Sequence, residues 1–196
     1  MLTFYIGGLT IKTNHLIYVS MFAAIMGVLG LLPPIPLGFS PVPITMQTLG
    51  VMLAGCVLGA RFGPKYAALS QVLFLLIVAT GMPLLSGGRG GVGVFLTPSA
   101  GFLLGWVASA YVIGYLCQRM KTVAVWKMIL INIAGGIVVI YLFGVPVQAM
   151  MMEIPVHQAA IYSLSFIPGD VLKAVAASFV AVKLYHVAPF MKEARA

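Results

Sequence analysis

The sequence predicts an all-α membrane protein with six transmembrane helices and both termini in the cytoplasm. Hydrophobic residues make up 62% of the 196 residues, and charged residues only 7%. A soluble domain carries about 25% charged residues, so this chain lacks the polar surface that a water-soluble fold needs. The apolar stretches show no short strand-like alternation, which favours helices over a closed barrel. No segment between them is long enough for a second domain, so we expect one transmembrane domain over residues 1–196.

Six stretches approach the roughly 20 mostly apolar residues that a membrane-spanning helix needs. They are Leu16–Leu32, Pro43–Ala60, Tyr66–Leu85, Ser99–Gln118, Met128–Val145 and Val171–Phe190. Glycine and proline, which interrupt helices, mark the joins between them. Three long and apolar joins, Pro33–Val42, Ser86–Pro98 and Pro146–Gly169, fall on one side, where we expect them to fold back over the helix ends. The Met150–Met152 run in the last join is typical of either a membrane-surface helix or a lid over a pocket.

The positive charges predict the orientation. If both termini lie on one side, nine of the eleven basic residues lie there too. These nine are Lys12, Arg61, Lys65, Arg119, Lys121, Lys127, Lys183, Lys192 and Arg195, which leaves Arg89 and Lys173. Cytoplasmic loops are enriched in lysine and arginine, so this side is expected to be cytoplasmic. The net charge of +8 therefore reflects membrane topology and predicts no nucleic-acid partner.

Asp170 and Lys173 lie one helical turn apart at the start of the sixth predicted span, in a chain with only three acidic residues. An ionisable residue inside a span costs a few kcal/mol and therefore indicates a functional site. The alternative is an i,i+3 ion pair that only supports a helix end. We expect the pair to line a site.

Other candidate binding residues fall on the same outer side as this pair. They are the polar residues Thr45, Gln47, Thr48, Arg89 and Tyr162 and the glycines Gly88 and Gly91. The planar guanidinium of Arg89 suits a carboxylate, and the neighbouring glycines Gly88 and Gly91 let backbone N–H groups approach an anion closely. The alternative for Arg89 is a flexible, solvated residue. Together these residues predict an apolar pocket for a small organic acid with an amide-like head.

The sequence lacks the motifs of several classes of enzyme and nucleotide-binding protein. It lacks a G-x-x-x-x-G-K-[ST] phosphate loop, a G-x-S-x-G elbow and an H-E-x-x-H metal motif, so we expect no enzyme, no metal and no cofactor. The histidines His15, His157 and His186 are far apart, and we expect them at the surface. Cys56 and Cys117 are expected to be small core residues without a disulfide. An intramembrane enzyme remains a less favoured alternative.

The first predicted span carries a stripe of small residues. They are Ser20, Ala23, Ala24, Gly27 and Gly30, at spacings of three and four residues. Small side chains allow another helix to approach closely. The partner is either another helix of this chain or a second protein that docks on this face.

Four segments, taken together, resemble one known family. They are Pro43-Ile44-Thr45-Met46-Gln47-Thr48-Leu49, Gly81-Met82-Pro83 followed by Gly87-Gly88-Arg89-Gly90-Gly91, Pro98-Ser99-Ala100-Gly101-Phe102-Leu103-Leu104-Gly105, and Pro168-Gly169-Asp170-Val171-Leu172-Lys173. The chain resembles the BioY family, the biotin-binding S components of energy-coupling factor (ECF) transporters.

The resemblance implies a six-helix protein of the prokaryotic cell membrane that captures biotin from outside. It implies a partnership with a transmembrane coupling protein and with two cytoplasmic ATPases, which alone would use ATP. The site would include Asp170 and Lys173, and the docking face would include Ala23 and Gly27. An S component for another small carboxylate-bearing vitamin is the alternative, and either Arg89 or Lys173 is expected to meet the carboxylate.

Overall fold

The computed structural model describes the backbone of residues 3–6 and 9–187, and the side chains from His15 to Val187. Seven α-helices occur in this part of the chain. They are α1 (Thr13–Gly30), α2 (Gln47–Phe62), α3 (Pro64–Ala79), α4 (Ala100–Arg119), α5 (Val125–Met152), α6 (Val156–Leu164) and α7 (Ile167–Val187). Two antiparallel hairpins pair β1 (Thr3–Ile6) with β2 (Leu9–Lys12) and β3 (Ile35–Leu37) with β4 (Ser40–Ile44). A 3-10 turn covers Val92–Leu96.

The helices have the length and composition of a membrane protein. Helices α4 and α5 are each long and apolar enough to cross a bilayer, and α6 and α7 pass the same test as a pair bent by 55°. Helices α1, α2 and α3 are apolar but shorter. All six predicted spans coincide with helices, whereas the count of six crossings remains a prediction.

Several predicted span boundaries differ from the ends of the helices. The second span does not begin at Pro43, because Pro43 and Ile44 belong to β4 and the helix starts at Gln47. The third helix ends at Ala79 rather than Leu85, in a turn that contains Gly81 with a φ of 104°. The fifth span does not end before Pro146. A membrane helix tolerates proline because neighbouring groups satisfy the freed carbonyl.

The last predicted join is therefore mostly helical. Helix α5 runs on through Pro146 to Met152, so the methionine run is its final turn and neither a separate surface helix nor a lid. Helix α7 begins at Ile167, ahead of the predicted start of the sixth span at Val171, with Pro168 in its first turn, where a missing N–H leaves no hydrogen bond unmade. Its predicted end at Phe190 lies outside the described residues.

Helix α4 is the centre of the bundle and packs against α3, α5 and a π-helical turn of α2, Ala54–Gly59. The contact is close because glycines face one another. A Cβ built on Gly59 would overlap the Cα of Gly114 on α4. A Cβ on Gly55 would lie 2.5 Å from the Ile113 side chain. These glycines are required by close approach, not by backbone conformation.

Polar residues in this core pair with one another. Cys56 and Cys117 are buried and form no disulfide, as expected of core cysteines, and their Sγ atoms lie 3.9 Å apart. The Cys56 thiol donates to Asn132 Oδ1 at 3.2 Å, and Asn132 Nδ2 donates to Ser178 Oγ at 2.9 Å. This chain of contacts joins α2, α4, α5 and α7.

The three histidines differ in environment. His157 and His186 are exposed, as expected. His15 is half-buried, with its ring centroid 4.7 Å from those of both Phe62 and Tyr66. The expectation of a surface position is therefore wrong for His15, because an imidazole can pack between aromatic rings.

Candidate ligand-binding site

A pocket with a cavity of about 60 Å³ lies between the β3–β4 hairpin, the start of α2, the segment 80–99, and helices α4, α5 and α7. Aromatic side chains make up much of its apolar wall, namely Phe102, Trp106, Tyr141 and Phe166. The polar lining consists of Thr45, Gln47, Thr48, Arg89, Ser99, Asp170 and Lys173 together with the Tyr141 hydroxyl. Six of these polar residues belong to the set predicted from the sequence, namely Thr45, Gln47, Thr48, Arg89, Asp170 and Lys173.

Asp170 and Lys173 form a buried ion pair on α7. Lys173 Nζ lies 2.9 Å from Asp170 Oδ1, and the two residues are 7% and 4% exposed. Thr48, at the start of α2, donates to Asp170 Oδ1 at 3.1 Å and accepts from Lys173 Nζ at 3.1 Å. Tyr141 on α5 donates to Asp170 Oδ2 at 2.8 Å. Because the pair is buried and bonded to two other helices, it is not a surface pair that only supports a helix end.

The network leaves one acceptor and one donor free. A carboxylate offers about four lone-pair sites and an ammonium three N–H groups. Oδ1 of Asp170 accepts two hydrogen bonds and Oδ2 accepts one. Lys173 makes two of its three hydrogen bonds in the described part of the chain. One lone pair on Oδ2 and one N–H of Lys173 thus remain for a ligand that offers both a donor and an acceptor.

Arg89 supplies a cation with no acidic partner among the described residues. Its Nη1 donates to Ser99 Oγ at 3.2 Å and its Nε to the Ser86 carbonyl at 3.4 Å. Burial lowers the pKa of Arg89 from its ordinary value, but a guanidinium stays protonated in proteins. These two hydrogen bonds hold the Arg89 side chain, so it is not a flexible, solvated residue. Because the Asp170–Lys173 pair is neutral overall, the ionisable side chains of the pocket carry one uncompensated positive charge, on Arg89.

The turn that presents Arg89 depends on left-handed glycines. Leu85 and Arg89 exchange two backbone hydrogen bonds, of 3.0 and 3.2 Å. Gly87 and Gly88 between them have φ angles of 81° and 70°, which glycine adopts without strain.

Gln47 fastens this segment to the helices. It is 1% exposed, and its Nε2 donates to the carbonyls of Met26 and Leu84, both at 3.2 Å. Its Oε1 accepts from the Ser86 N–H at 3.1 Å. Both amide N–H groups and the amide oxygen of Gln47 are hydrogen-bonded within the protein. Its main role is therefore to position the segment that carries Arg89, and not to bind a ligand directly. Thr45 lines the pocket beside it.

Three of the predicted binding residues do not reach the pocket wall. Gly88 and Gly91 shape the turn, and the N–H of Gly91 is bonded to the Val78 carbonyl at 2.8 Å. The N–H of Gly91 is therefore not available to an anion. Tyr162 packs against Phe39 at the tip of the β3–β4 hairpin, with ring centroids 5.6 Å apart. It contacts the hairpin instead of the cavity.

Tyr141, Ser99 and three aromatic residues of the lining were not identified as binding residues from the sequence. Tyr141 had one available signal, since it carries one of the few hydrogen-bonding side chains within the fifth span. Phe102 and Trp106 had none, because an aromatic residue in a span gives no sign of whether it faces lipid or a cavity. Phe166 had none either, because it lies in a predicted join, ahead of the sixth span.

The small residues of α1 lie along an open groove between α1 and α3. Ser20, Ala23, Ala24 and Gly27 line this groove of about 480 Å³, together with residues of α3 such as Leu73 and Ile77. Gly30 instead faces inward, where a Cβ would overlap the Leu84 carbonyl. The stripe thus serves internal packing at Gly30. At the groove, Ser20 and Ala24 are exposed among the described residues, whereas Ala23 and Gly27 are buried.

Comparisons with family models, protein sequences and solved structures all point to the same family. The family model of the "BioY family" matches residues 6–190. The "Probable biotin transporter BioY" of Bacillus subtilis is 49% identical over 174 residues, which cover 89% of this chain and 91% of that one. The "Biotin transporter BioY" of Rhizobium etli is 49% identical over 173 residues, or 85% and 90% of the two chains. The crystal structure of an S-component for biotin from an ECF-type ABC transporter matches with a TM-score of 0.85 at 32% identity, over 94% of this chain and all (100%) of that one.

Proposed function

Because this chain belongs to the BioY family, we propose that it is the S component of an ECF transporter that binds biotin at the outer face of the cell membrane. The pocket formed by Asp170, Lys173, Tyr141 and Arg89 is the proposed site. In this proposal the protein has no enzymatic activity and needs no metal or cofactor.

The choice of biotin as the ligand rests on the uncompensated positive charge of Arg89. Biotin has a carboxylate at the end of an apolar chain and a cyclic urea at the other end. Its carboxylate matches Arg89, because Lys173 is already neutralised by Asp170 at 2.9 Å. The urea offers an N–H to the free lone pair of Asp170 and a carbonyl to the free N–H of Lys173. The aromatic wall suits the apolar part between these ends.

Ligand entry requires the pocket to widen. Its cavity of about 60 Å³ is smaller than the roughly 300–1,000 Å³ of typical ligand sites. The β3–β4 hairpin forms one wall. Val42 of β4 packs in the core, whereas the tip is held by the Phe39–Tyr162 ring contact and, beside it, a hydrogen bond of 3.2 Å from Gln148 Nε2 to Ser40 Oγ. We therefore propose that this hairpin moves outward when biotin enters.

The proposed topology has six crossings, by α1, α2, α3, α4, α5 and α7, with both termini in the cytoplasm. The positive-inside rule supports it, because Arg61, Lys65, Arg119, Lys121 and Lys127 all lie at the joins between α2 and α3 and between α4 and α5. Arg89 and the ion pair then face the outer side. In a bacterium or archaeon this membrane is the cell (inner) membrane.

The proposed partners are a transmembrane coupling protein and two cytoplasmic ATPases. The chain has no phosphate-binding loop, so the energy for release has to come from other subunits. The groove bordered by Ser20, Ala23, Ala24 and Gly27 is the proposed docking face, because small side chains let a partner helix approach closely.

The proposed function is tested by the binding of labelled biotin to the purified chain alone, with other carboxylate-bearing vitamins as competitors. We expect saturable binding at micromolar biotin or below, displacement by unlabelled biotin, and no ATP hydrolysis. Displacement by a different vitamin at lower concentration would reassign the ligand. Absence of binding at micromolar biotin would contradict the assignment.

A further inference from the structure

Ring packing, more than its hydroxyl, fixes the position of Tyr141. The Tyr141 ring makes edge contacts with Phe102 and Phe166, at centroid distances of 6.2 and 6.3 Å and interplanar angles of 77° and 89°. Those two rings also contact each other at 6.0 Å and 82°. Such edge-to-face pairs favour one geometry. These ring contacts therefore hold the Tyr141 hydroxyl, on α5, in one position relative to the Asp170 carboxylate, on α7.

The Asp170 carboxylate depends on this hydroxyl for its orientation. The terminal torsion of an aspartate is broad and roughly two-fold, so the carboxylate turns readily unless both oxygens are held. Thr48 and Lys173 both bond to Oδ1, at 3.1 and 2.9 Å. In the described part of the chain, Tyr141 alone bonds to Oδ2, at 2.8 Å.

We propose that Tyr141 is a positioning residue for ligand recognition, an inference that rests on the proposed function. Its hydroxyl occupies one lone pair of Oδ2 and fixes the plane of the carboxylate, so that the other lone pair points at a urea N–H of biotin. Tyr141 itself needs no contact with the ligand. It acts by removing, before binding, a rotation that the Asp170 carboxylate would otherwise lose on binding.

The first test is the affinity for biotin of the Tyr141→Phe variant, measured by calorimetry on the purified chain. Phenylalanine keeps the ring contacts with Phe102 and Phe166 and removes only the donor. We expect biotin to bind about tenfold more weakly, since hydrogen bonds to charged groups contribute enough free energy for a change of that order. Tyr111→Phe is the matched control, because Tyr111 is 45% exposed on α4 and lies outside the pocket. It should leave the affinity unchanged.

The second test asks whether Tyr141 acts through Asp170. If it does, adding Tyr141→Phe to an Asp170→Asn variant causes much less than a further tenfold loss. A change in the ligand tests the same point. The affinities of wild-type and Tyr141→Phe protein are compared for two biotin derivatives, each methylated on a different urea nitrogen. The loss caused by Tyr141→Phe should disappear for the isomer methylated on the nitrogen that faces Asp170, because that isomer has no N–H to offer there. It should persist for the isomer methylated on the other nitrogen. This comparison decides the matter if the Asp170→Asn variants bind too weakly to measure.

The outcomes separate this inference from the proposed function. Wild-type protein that binds no biotin contradicts the proposed function itself. Wild-type binding with unchanged or tighter binding by Tyr141→Phe overturns only the positioning role. An equal loss for biotin and both methylated isomers also overturns it, because it indicates general damage to the pocket.

Discussion

At the scale of single residues, the buried ion pair of Asp170 with Lys173 dominates the pocket. If the pair holds the ligand, Asp170→Asn and Lys173→Met should each weaken biotin binding by at least ~2 kcal/mol, because each leaves a buried charge without its partner. Calorimetry with biotin measures the change. Lys183→Met is the matched control, since Lys183 is an exposed lysine on the same helix and should leave binding unchanged.

The double variant of this pair gives a sharper outcome. Removing both charges should lose less affinity than the sum of the two single variants, because neither charge is then left alone. Wild-type affinity in both single variants would show that the pair serves only the structure of α7.

Arg89 is the residue whose role the ligand itself can test. We expect Arg89→Gln to weaken biotin binding by roughly 1.5–3 kcal/mol, the range for hydrogen bonds to charged groups. The neutral amide of biotin should bind to wild-type and variant with similar affinity, because it has no carboxylate for Arg89 to meet. Equal losses for biotin and its amide would place the carboxylate elsewhere.

The ionisable residues of the site were predictable from the sequence, and the residues that orient them were not. Asp170, Lys173 and Arg89 are rare charges in an apolar chain, so the cost of burying them indicates a site. Tyr141 depends on how α5 meets α7 in space, which no local pattern records. Gly88 and Gly91 were assigned to an anion site, but the structure uses them to form a turn.

At the scale of the helices, close glycine contacts hold α4 against α2. Gly59→Ala should destabilise the protein by about 1–3 kcal/mol, as other overpacking substitutions do, because the new Cβ would overlap the Gly114 backbone. Thermal unfolding in detergent measures this effect. Gly93→Ala is the control, since nothing lies within 4 Å of a Cβ at that position. Equal stability of the two variants would contradict the tight packing of α2 on α4.

The helices themselves were predictable, but several of their ends were not. Hydropathy locates apolar stretches, whereas hydrogen bonds decide where a helix begins and ends. Pro43 therefore falls in a strand although it borders an apolar stretch, and Pro146 lies inside α5 although proline usually ends a helix. The predicted positions of Lys192 and Arg195 lie outside the described residues.

At the scale of the whole molecule, the groove beside α1 should determine assembly without affecting ligand binding. We expect Gly27→Leu and Ala24→Trp to fill this groove, so that the chain still binds biotin but no longer co-purifies with a coupling protein and ATPases. The bundle accommodates a side chain at Gly27, where a Cβ would lie 3.7 Å from Leu84, an ordinary contact.

A control substitution on another face makes this assembly test specific. Leu142→Trp alters α5, where Leu142 is 67% exposed, and should leave co-purification intact. If the groove variants unfold or lose biotin binding, the small-residue face packs inside the bundle and does not dock a partner.

The central claim is that biotin lies between the Asp170–Lys173 pair and Arg89, and a structure of the protein with bound biotin tests it most directly. We expect the urea within hydrogen-bond distance of Asp170 Oδ2 and Lys173 Nζ, and the carboxylate on the Arg89 guanidinium. Biotin bound outside this pocket, or bound with its carboxylate on Lys173 and its urea at Arg89, would contradict the claim.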